Sequence, residues 1–195
     1  QRHSCGFRVM SLSWTLGETL ITTVGNGSMV FTQGFQQPMY MFNGQMVVVP
    51  AGWSGISSYV LPDDPLVENI FAPNVAELTI LMNGFNQIYW PDEEINTIGN
   101  WNTHHGYKIK VTEDVTVIFE GDEDLNKVVT LNPGWSIIPV LSSENVSTTA
   151  LFGPLGTDMI IAKEIAGNRI YWPSQGIITL NFLEPGKAYQ ILMDP

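Results

Sequence analysis

Two stretches of this chain carry the same landmarks at one fixed spacing. The recurring segments, each 82 residues apart, are Gly52-Trp53-Ser54 with Gly134-Trp135-Ser136, Ile88-Tyr89-Trp90-Pro91 with Ile170-Tyr171-Trp172-Pro173, and Tyr107 with Tyr189. Three separated landmarks with a common offset indicate a duplicated structural unit. We therefore predict two tandem homologous modules, residues 46–125 and 126–195, preceded by an N-terminal extension over residues 1–45.

Each module has the sequence pattern of short strands with a single short helix. Alternating or β-branched apolar runs, separated by Gly, Pro and Asn turns, favour strands over helices. In the first module strands are predicted at 45–49, 53–60, 78–81, 87–90, 107–111 and 115–119, and a helix at 66–72, where Pro73 stops it. In the second module strands are predicted at 128–131, 135–140, 159–162, 169–172 and 189–193, and a helix at 147–152 that Ser147 or Thr148 caps. In the extension, 11–16 is predicted as a strand, and 20–24 and 29–32 as a β-hairpin around the turn Gly25-Asn26-Gly27-Ser28.

These elements predict a mainly β fold in which the two modules pack together. A single copy of about 65–80 residues buries only a marginal core, so two copies packed as a pseudo-twofold pair are expected to share one. The second copy has no counterpart of the strand at 115–119. Either a following segment or the N-terminal hairpin is expected to fill that position, because an open apolar edge invites aggregation.

Charge excludes one class of partner. The chain has 8 basic and 19 acidic residues and a formal net charge of −11. Nucleic-acid binding needs clustered Lys and Arg to replace counterions along the phosphates, so we expect no nucleic-acid partner. No apolar run approaches the roughly 18 residues that a spanning helix needs, so membrane insertion is not expected.

The start of the chain suggests export. A chain that begins at Gln1 fits a mature secreted protein, although a trimmed chain would begin in the same way. Cys5 is the only cysteine, which excludes an internal disulfide and a cysteine metal cluster. It is expected to be a small apolar residue near the chain end, with an intermolecular bridge or a reactive thiol as the alternative.

Aromatic residues are the candidate binding groups. Pyranose rings present apolar C–H faces that stack on Trp and Tyr, while neighbouring amides and carboxylates bind the hydroxyl groups. Strand alternation, anchored on an inward Ile88, places Trp90 in the core and Tyr89 partly exposed, and the same holds for Trp172 and Tyr171. Two interpretations stay open: most rings, Trp53 and Trp135 included, are repeat-defining core residues, or some form a sugar platform. The candidate platform residues are Trp101, Tyr89, Tyr171, Trp90, Trp172, Asn100 and Asn102.

Trp101 is the most informative of these candidates. The second copy has Leu183 in its place, so this ring is either a looser core residue or a site special to the first copy. The adjacent His104 and His105 could ligate a metal with Asp92 or Glu94, but solvated loop histidines are the favoured interpretation. Residues 120–126 resemble half of a calcium loop, but they lack its Gly and distal Glu, which favours an acidic linker between the modules, with weak calcium binding as the alternative. No metal and no cofactor are predicted.

Catalytic motifs are missing from the sequence. It contains no G-x-S-x-G, no nucleotide-binding loop and no H-E-x-x-H, and its acidic residues cluster in turns rather than across a predicted cleft. We therefore expect a non-catalytic protein.

Several motifs resemble those of known secreted proteins. Ser13-Trp14-Thr15-Leu16-Gly17-Glu18, followed by Phe31-Thr32-Gln33-Gly34-Phe35-Gln36-Gln37-Pro38, is similar to a segment that often accompanies type IX-secreted proteins of Bacteroidetes. The Gly-Trp-Ser-x-Ile strand, the Tyr-Trp-Pro segment and Leu183-Glu184-Pro185-Gly186-Lys187-Ala188-Tyr189 resemble tandem "GWN"-type modules of bacterial surface proteins. The first copy departs from this ending, with Asn102-Thr103-His104-His105-Gly106 in place of the turn. The resemblance implies a secreted or surface-attached location and a place within a longer modular protein.

Two functions follow as expectations. The first is a non-catalytic, extracellular carbohydrate-binding module of a secreted protein that acts on polysaccharides. Its partners would be a polysaccharide or surface glycan and the other domains of the parent protein. The alternative is a structural or adhesive spacer of a cell-surface protein, with its aromatic rings buried and no small ligand.

Overall fold

The computed structural model describes residues 23–26, 29–32 and 43–194. The chain forms two compact units, Gln1–Met41 and Phe42–Pro195. In the first unit, strands β1 (Thr23–Asn26) and β2 (Met29–Thr32) pair antiparallel, which confirms a hairpin here. Gly25 and Asn26 were predicted as part of the turn, but they belong to β1 and pair with Val30 and Met29. The strand predicted at 11–16 and Cys5 lie outside the described residues. The predicted boundaries at 45 and 125 stay predictions.

The second unit is a series of short strands with two short helices. Its first half, residues 43–125, contains β3 (Gly44–Val49), β4 (Gly52–Ile56), β5 (Val60–Pro62), α1 (Val67–Phe71), β6 (Leu78–Asn83), β7 (Ile88–Trp90), β8 (Ile95–Asn96), β9 (Tyr107–Val111) and β10 (Val115–Glu123). Its second half, residues 126–194, contains β11 (Gly134–Ile138), β12 (Val146–Ser147), α2 (Thr148–Phe152), β13 (Met159–Glu164), β14 (Ile170–Trp172), β15 (Ile177–Ile178), β16 (Phe182–Leu183) and β17 (Tyr189–Met193). The protein is thus mainly β, as its alternating apolar patterns predict.

Both halves build a five-stranded antiparallel sheet with the same strand order. The order is β4-β9-β6-β7-β8 in the first half and β11-β17-β13-β14-β15 in the second. The pairing of Gly52 with Val111 in one sheet matches that of Gly134 with Met193 in the other. A register shift falls at the equivalent place in both sheets, at the start of β6 and of β13.

The two hydrophobic cores are built differently. In the first half a second sheet, β3-β10-β5, covers the inner face of the five-stranded sheet and contributes Val47, Val49, Val117 and Phe119 to the core. In the second half a core that includes Phe152, Leu180, Leu183, Tyr189 and Ile191 lies on the five-stranded sheet, beside the two-stranded sheet β12-β16. Each core thus packs against one face of its own sheet, which leaves the opposite face for other contacts.

Helix α1 differs slightly from its prediction. Asp64 lies before it, and its carboxylate accepts hydrogen bonds from the Leu66 amide at 3.0 Å and from the Asn69 side chain at 2.7 Å. Pro73 does not stop the helical path at once, because it lies within a 3₁₀ turn (Ala72–Asn74) that follows α1. In α2 the predicted cap is confirmed: the hydroxyl of Ser147 accepts a hydrogen bond from the amide of Ala150.

One predicted strand is wrong in part and another is wrong altogether. The run 53–60 divides into β4 and β5 because Ser57 and Ser58 turn their polar groups to other partners, so the ladder is interrupted there. The strand predicted at 128–131 is not formed, although Val129 and Leu131 pack against the second core. A strand needs a partner for its backbone groups, and in the described part of the chain no strand pairs with this segment.

Ser57 holds the two halves together and is fully buried. Its hydroxyl donates to the carbonyl of Lys187 at 2.6 Å and accepts from the amide of Val140 at 3.1 Å. Its own amide donates to the carbonyl of Gly186 at 2.9 Å. One residue of the first half therefore satisfies three backbone groups of the second half.

Glycines on both sides allow the backbones to approach closely. A side chain at Gly55 would collide with the carbonyl of Ala188, and a Cβ at Gly106 would lie 2.7 Å from both Ile137 Cγ2 and the Ile138 carbonyl oxygen. Ile137 lies 82 residues after Gly55, and Ala188 lies 82 residues after Gly106. The contact of Gly55 with Ala188 and that of Ile137 with Gly106 therefore join equivalent positions with the halves exchanged. The interface between the halves thus includes one pair of reciprocal close contacts, at Gly55 and at Gly106.

Each half also has a buried tyrosine, at the first residue of β9 and of β17, that binds the turn before it. The hydroxyl of Tyr107 accepts from the Asn102 amide, and that of Tyr189 accepts from the Glu184 amide, both at 2.9 Å. Burial raises the pKa of both phenols to about 12. Since an ionised phenol would have to lie among apolar side chains, both groups are held neutral in the folded protein.

Removing the Ser57 hydroxyl is expected to weaken the contact between the halves. Ser57→Ala leaves a buried amide and a buried carbonyl without partners, so the free energy of unfolding should fall by ~1–3 kcal/mol.

Gly106→Ala should lower the free energy of unfolding by ~1–3 kcal/mol, because the added methyl group overpacks the contact between the halves. The matched control is Gly153→Ala, because no atom lies within 4 Å of its added methyl group and its φ of −53° suits alanine. Denaturant titration checks all three; equal midpoints for all variants would contradict the proposed role of the interface.

Alkaline unfolding should follow the two buried tyrosines. Their folded-state pKa of about 12 exceeds the ordinary value, so the unfolded chain loses these protons first. Stability should therefore be unaffected below about pH 10 and should fall as the pH rises from about 10 towards 12. Circular dichroism recorded together with tyrosinate absorbance checks this. Ionisation of all tyrosines below pH 11 without loss of structure would be the contrary result.

Candidate functional site

Trp101 is a core residue in the structure. It is 5% exposed, its ring stacks on Tyr107 at a centroid distance of 4.1 Å, and Phe119 lies 4.8 Å away. Its indole N–H donates to the buried hydroxyl of Ser58 at 2.8 Å. No ring face is left for a ligand, so the expectation of an exposed platform at Trp101 is wrong. The equivalent Leu183 is buried too, which identifies this as a core position in both halves.

The two faces predicted for the Ile-Tyr-Trp segments are exchanged in the structure. Tyr89 is 7% exposed and Tyr171 is 3% exposed, whereas Trp90 and Trp172 are half-buried. Tyr89 is paired across the strands with Leu81, which is fully buried, and paired residues share a face of the sheet. The prediction was wrong because it took Ile88 as inward, and Ile88 lies on the opposite face from Leu81.

The two predicted asparagines are exposed but lie apart from an aromatic platform. Asn100 forms an isolated β-bridge with Leu66, next to the start of α1. The side-chain oxygen of Asn102 accepts from the His104 amide at 2.9 Å, within its own turn. The predicted residues therefore do not form one site: Trp101, Tyr89 and Tyr171 line the cores, and Trp90 and Trp172 lie on the other side of the sheets.

That other side carries a row of large apolar side chains. We call the face of each five-stranded sheet that points away from its own core the outer face. In the first sheet Lys110 lies between Trp53 and Ile80 and pairs with both. Leu81 pairs with Tyr89, so their neighbours Ile80 and Trp90 face each other across β6 and β7. Trp90 in turn pairs with Ile95. These registers define the first tryptophan row, which crosses all five strands: Trp53, Lys110, Ile80, Trp90 and Ile95.

The second sheet repeats this arrangement. Leu192 lies between Trp135 and Ile161 and pairs with both. Ala162 pairs with Tyr171, so their neighbours Ile161 and Trp172 face each other across β13 and β14. Trp172 in turn pairs with Ile177. The second tryptophan row is Trp135, Leu192, Ile161, Trp172 and Ile177. Both rows thus have a Trp on the first strand, an Ile on the third, a Trp on the fourth and an Ile on the fifth.

The ends of both rows are open to solvent. Trp53 is 43% exposed and Trp135 is 54% exposed, and Ile95 and Ile177 at the far ends are about as open. The ammonium of Lys110 lies 6.0 Å from the ring centroid of Trp53, and that of Lys163 lies 5.4 Å from that of Trp135. A cation at this distance is attracted to the face of an indole ring. Because adjacent strands are ~4.8 Å apart, the two tryptophans of one row are separated by about 14 Å.

Trp53 and Trp135 are the candidate binding residues that the sequence interpretation missed, since it grouped them with the framework. A signal was present in the printed sequence. Ile56 and Ile138 close the same two strands as buried residues, and a residue three positions earlier on a strand points to the opposite face. If Ile56 and Ile138 are taken as inward, the alternation of side chains along each strand places Trp53 and Trp135 on the outward face.

The histidine pair is used in contacts within the protein. His104 Nε2 lies 3.0 Å from the carboxylate of Asp124, and its Nδ1 lies 2.9 Å from the Val128 carbonyl oxygen. His105 packs against Phe85 at 4.6 Å, and burial, followed by the nearby His104, lowers its pKa. Among the described residues no group of three His, Cys, Asp or Glu side chains comes together as metal ligands.

Acidic side chains meet in an open groove between α1 and β10. Asp63, Asp64 and Glu120 are among its lining residues. The hydrogen bond from Asn69, and then that from the Leu66 amide, lower the pKa of Asp64, so this carboxylate is ionised and bound to the start of the helix. In residues 43–194 no helix is long and apolar enough to cross a membrane.

Comparison of the chain with family models, with curated proteins and with solved structures gives no match. The two tryptophan rows are therefore the features of this chain that point to a binding site.

Tryptophan fluorescence should separate the two kinds of ring. The double variant Trp53→Phe/Trp135→Phe removes the two most exposed described indoles, so the red-shifted, acrylamide-quenchable part of the emission should fall. Trp101→Phe removes a buried indole and should reduce only the blue, protected part. Steady-state quenching of both variants and the parent checks this. Equal quenching constants for the parent and the double variant would show that the outer rings are covered in solution.

Proposed function

We propose that the chain is a non-catalytic carbohydrate-binding protein whose two tryptophan rows stack on sugar rings. The observation that carries the proposal is the recurrence of one outward Trp–Ile–Trp–Ile pattern on two sheets, with open indoles at Trp53 and Trp135. Indole rings offer a flat apolar surface to the C–H face of a pyranose. Several rings in line on a sheet suit an extended chain of sugars better than a single one.

Charge narrows the ligand class. The chain carries a net charge of −11, so acidic polysaccharides would be repelled at long range. The lysines beside the outer tryptophans, Lys110 and Lys163, offer N–H donors to hydroxyl groups and alkyl stems to ring faces. A neutral polysaccharide fits these groups, with the other domains of a longer secreted protein as further partners.

The architecture behind this proposal is a pair of tandem homologous modules related by a local pseudo-twofold axis. Three observations support it: the 82-residue spacing of the landmarks, the equal strand order of the two sheets, and the reciprocal contacts 55–188 and 106–137. In a twofold arrangement each contact occurs twice with the partners exchanged. Such a pair presents two equivalent rows.

Secretion and surface attachment are part of the same proposal. They rest on the resemblance to tandem modules of Bacteroidetes surface proteins and on the type IX-like segment, which lies almost entirely outside the described residues. A low content of charged residues, 14% against about 25% in typical proteins, leaves a surface of Asn, Ser, Thr and Gly that suits an extracellular module.

A spacer without any ligand is the second candidate. The observation that favours it is the burial of Trp101, Tyr89 and Tyr171, three of the rings considered for binding. In this alternative the rows are partly covered surface, and the role of the protein is to separate or present neighbouring domains.

Affinity electrophoresis against a panel of neutral plant and algal polysaccharides tests the proposal. The parent chain should be retarded by at least one polysaccharide, and Trp53→Ala/Trp135→Ala should reduce the retardation by roughly tenfold, which corresponds to ~1.4 kcal/mol. Phe182→Ala is the matched control, because Phe182 is 51% exposed but lies outside both rows. Lack of retardation on the whole panel, or equal loss in the control, would favour the spacer.

A further inference from the structure

A cleft lies beside Trp53, where the first sheet meets the second half. Three of its lining residues, Trp53, Met82 and Lys108, belong to the first sheet, and the fourth, Ile165, lies in the turn after β13. Its volume is about 340 Å³, within the range of roughly 300–1,000 Å³ that is typical of ligand pockets. We call it the Trp53 cleft. The open indole at one end of the first tryptophan row is thus also a wall of a concave site.

The register of the first sheet explains why the cleft forms. Lys108 pairs with Gly55 on one side and with Met82 on the other, so these three residues lie on the outer face in the line next to the first tryptophan row. Gly55 brings no side chain to this line. Ile165 lies over it instead, since its Cδ1 is 2.9 Å from the place that a Cβ at Gly55 would take. Strand β4 therefore carries the indole of Trp53 and, two residues later, lies under a wall that the second half supplies.

In the second sheet the corresponding line has other side chains. The registers of β11, β17 and β13 place three different residues at the positions of Gly55, Lys108 and Met82, in that order: Ile137, Gln190 and Lys163. Ile137 has its own side chain where the first sheet has none, and the turn of the first half that approaches it carries Gly84 instead of an isoleucine. The space beside β11 is therefore filled from within the second sheet.

The cations beside the two outer tryptophans also come from different directions. The ammonium of Lys163, from the position that corresponds to Met82, lies 5.4 Å from the ring centroid of Trp135. Its side chain thus extends along the line that forms the cleft in the first sheet. Trp53 has a cation as well, Lys110 at 6.0 Å, but this residue belongs to the tryptophan row and does not line the cleft. The cleft side of Trp53 is therefore open, whereas the same side of Trp135 is covered.

The lysines of the outer faces have no acidic partners. Of the eight basic residues in the sequence, Arg2 and Arg8 lie outside the described residues, which leaves six. Three of these six form ion pairs with carboxylates: Lys127, Arg169 and Lys187. The other three form no ion pair with any described residue, and all three lie on the outer faces: Lys108, Lys110 and Lys163. The ammonium of Lys108 is therefore available to a ligand in the cleft.

We infer that the Trp53 cleft is the principal sugar site of the protein. One ring of a neutral polysaccharide lies in it, with its C–H face on the indole of Trp53 and with hydroxyl groups that accept hydrogen bonds from the ammonium of Lys108. Met82 and Ile165 contact the apolar edges of the ring. The inference rests on the sugar-binding function proposed above. It adds that the two tryptophan rows are unequal and that the second row binds more weakly.

Single tryptophan variants test this inequality by affinity electrophoresis in the polysaccharide that retards the parent chain. Trp53→Ala should lower the affinity about fivefold or more, whereas Trp135→Ala, its match in residue type and strand position, should lower it less than about twofold. Equal losses, or a larger loss with Trp135→Ala, would overturn the inference and leave the sugar proposal intact. Lack of retardation of the parent on the whole panel would overturn the sugar proposal and this inference with it.

A pair of lysine variants tests the cleft itself. Lys108→Met removes the donor inside the cleft and should weaken binding about threefold or more, because the sugar loses a charge-assisted hydrogen bond. Lys163→Met makes the same change in net charge beside Trp135 and should leave the affinity unchanged. Equal effects of the two variants would show that these lysines act through net charge alone, which contradicts the role of the cleft.

Fluorescence keeps the result decisive if Trp53→Ala disturbs the fold. Trp53→Phe and Trp135→Phe each keep an aromatic ring and remove one indole. With saturating polysaccharide, Trp135→Phe should show the same decrease in acrylamide quenching as the parent, whereas Trp53→Phe should show less than about half of this decrease. An equal decrease in both variants would place the bound sugar away from Trp53 and overturn the inference.

Discussion

The close approach of the two halves at Gly55 and Gly106 is the constraint on which the rest of the second unit depends. Because a Cβ at either position would meet a backbone carbonyl of the other half, the contact fixes how the sheets lie with respect to each other. Ser57 then satisfies the polar groups that this contact buries. The outer faces that carry the tryptophan rows are the faces on which Gly55 and Ile137 lie. The contact therefore covers one part of each outer face and leaves another open.

The face of the sheet on which an aromatic side chain lies decides whether it packs in a core or is open to solvent. Tyr89 and Tyr171 lie on the inner sides of their sheets and belong to the cores, whereas Trp53 and Trp90 lie on the outer side of the first sheet. Trp101, which lies outside the strands, is buried in the first core. All of these residues are large and apolar, so composition alone does not separate a packing role from a binding role. A shift of one position along a strand exchanges the two.

The fold could be predicted further than the site. Strands β3, β6, β7, β9, β10 and β17 and helix α2 follow from alternation and turn signals near their observed bounds, because these features are local. The failures depend on contacts between distant residues. Ser57 interrupts the strand at 53–60 through hydrogen bonds to Val140 and Lys187, which are more than 80 residues away. Among the described residues the run 128–131 has no partner strand, and a local pattern cannot report this.

The site was predicted on the wrong residues for a related reason. A short strand such as β7 has too few residues to show which of its faces is buried, and Ile88 was an unsuitable anchor because isoleucine is also placed on the outer face here. The fully buried neighbours Leu81 and Ile109 identify the face, but they belong to other strands. Only the register between strands relates them to Tyr89.

Backbone contact between the halves has a consequence for how such proteins can evolve. Surface loops on either half can change length freely, as the turns after β6 and β13 already do with four and five residues. The contact at Gly55 and Gly106 does not allow such changes, because the backbones already touch there. A half separated from its neighbour would expose Ile137 and the polar groups that bind Ser57. Recombination between genes of this kind would thus be expected to preserve the pair as its smallest exchangeable part, with viable breakpoints outside the two halves rather than between them.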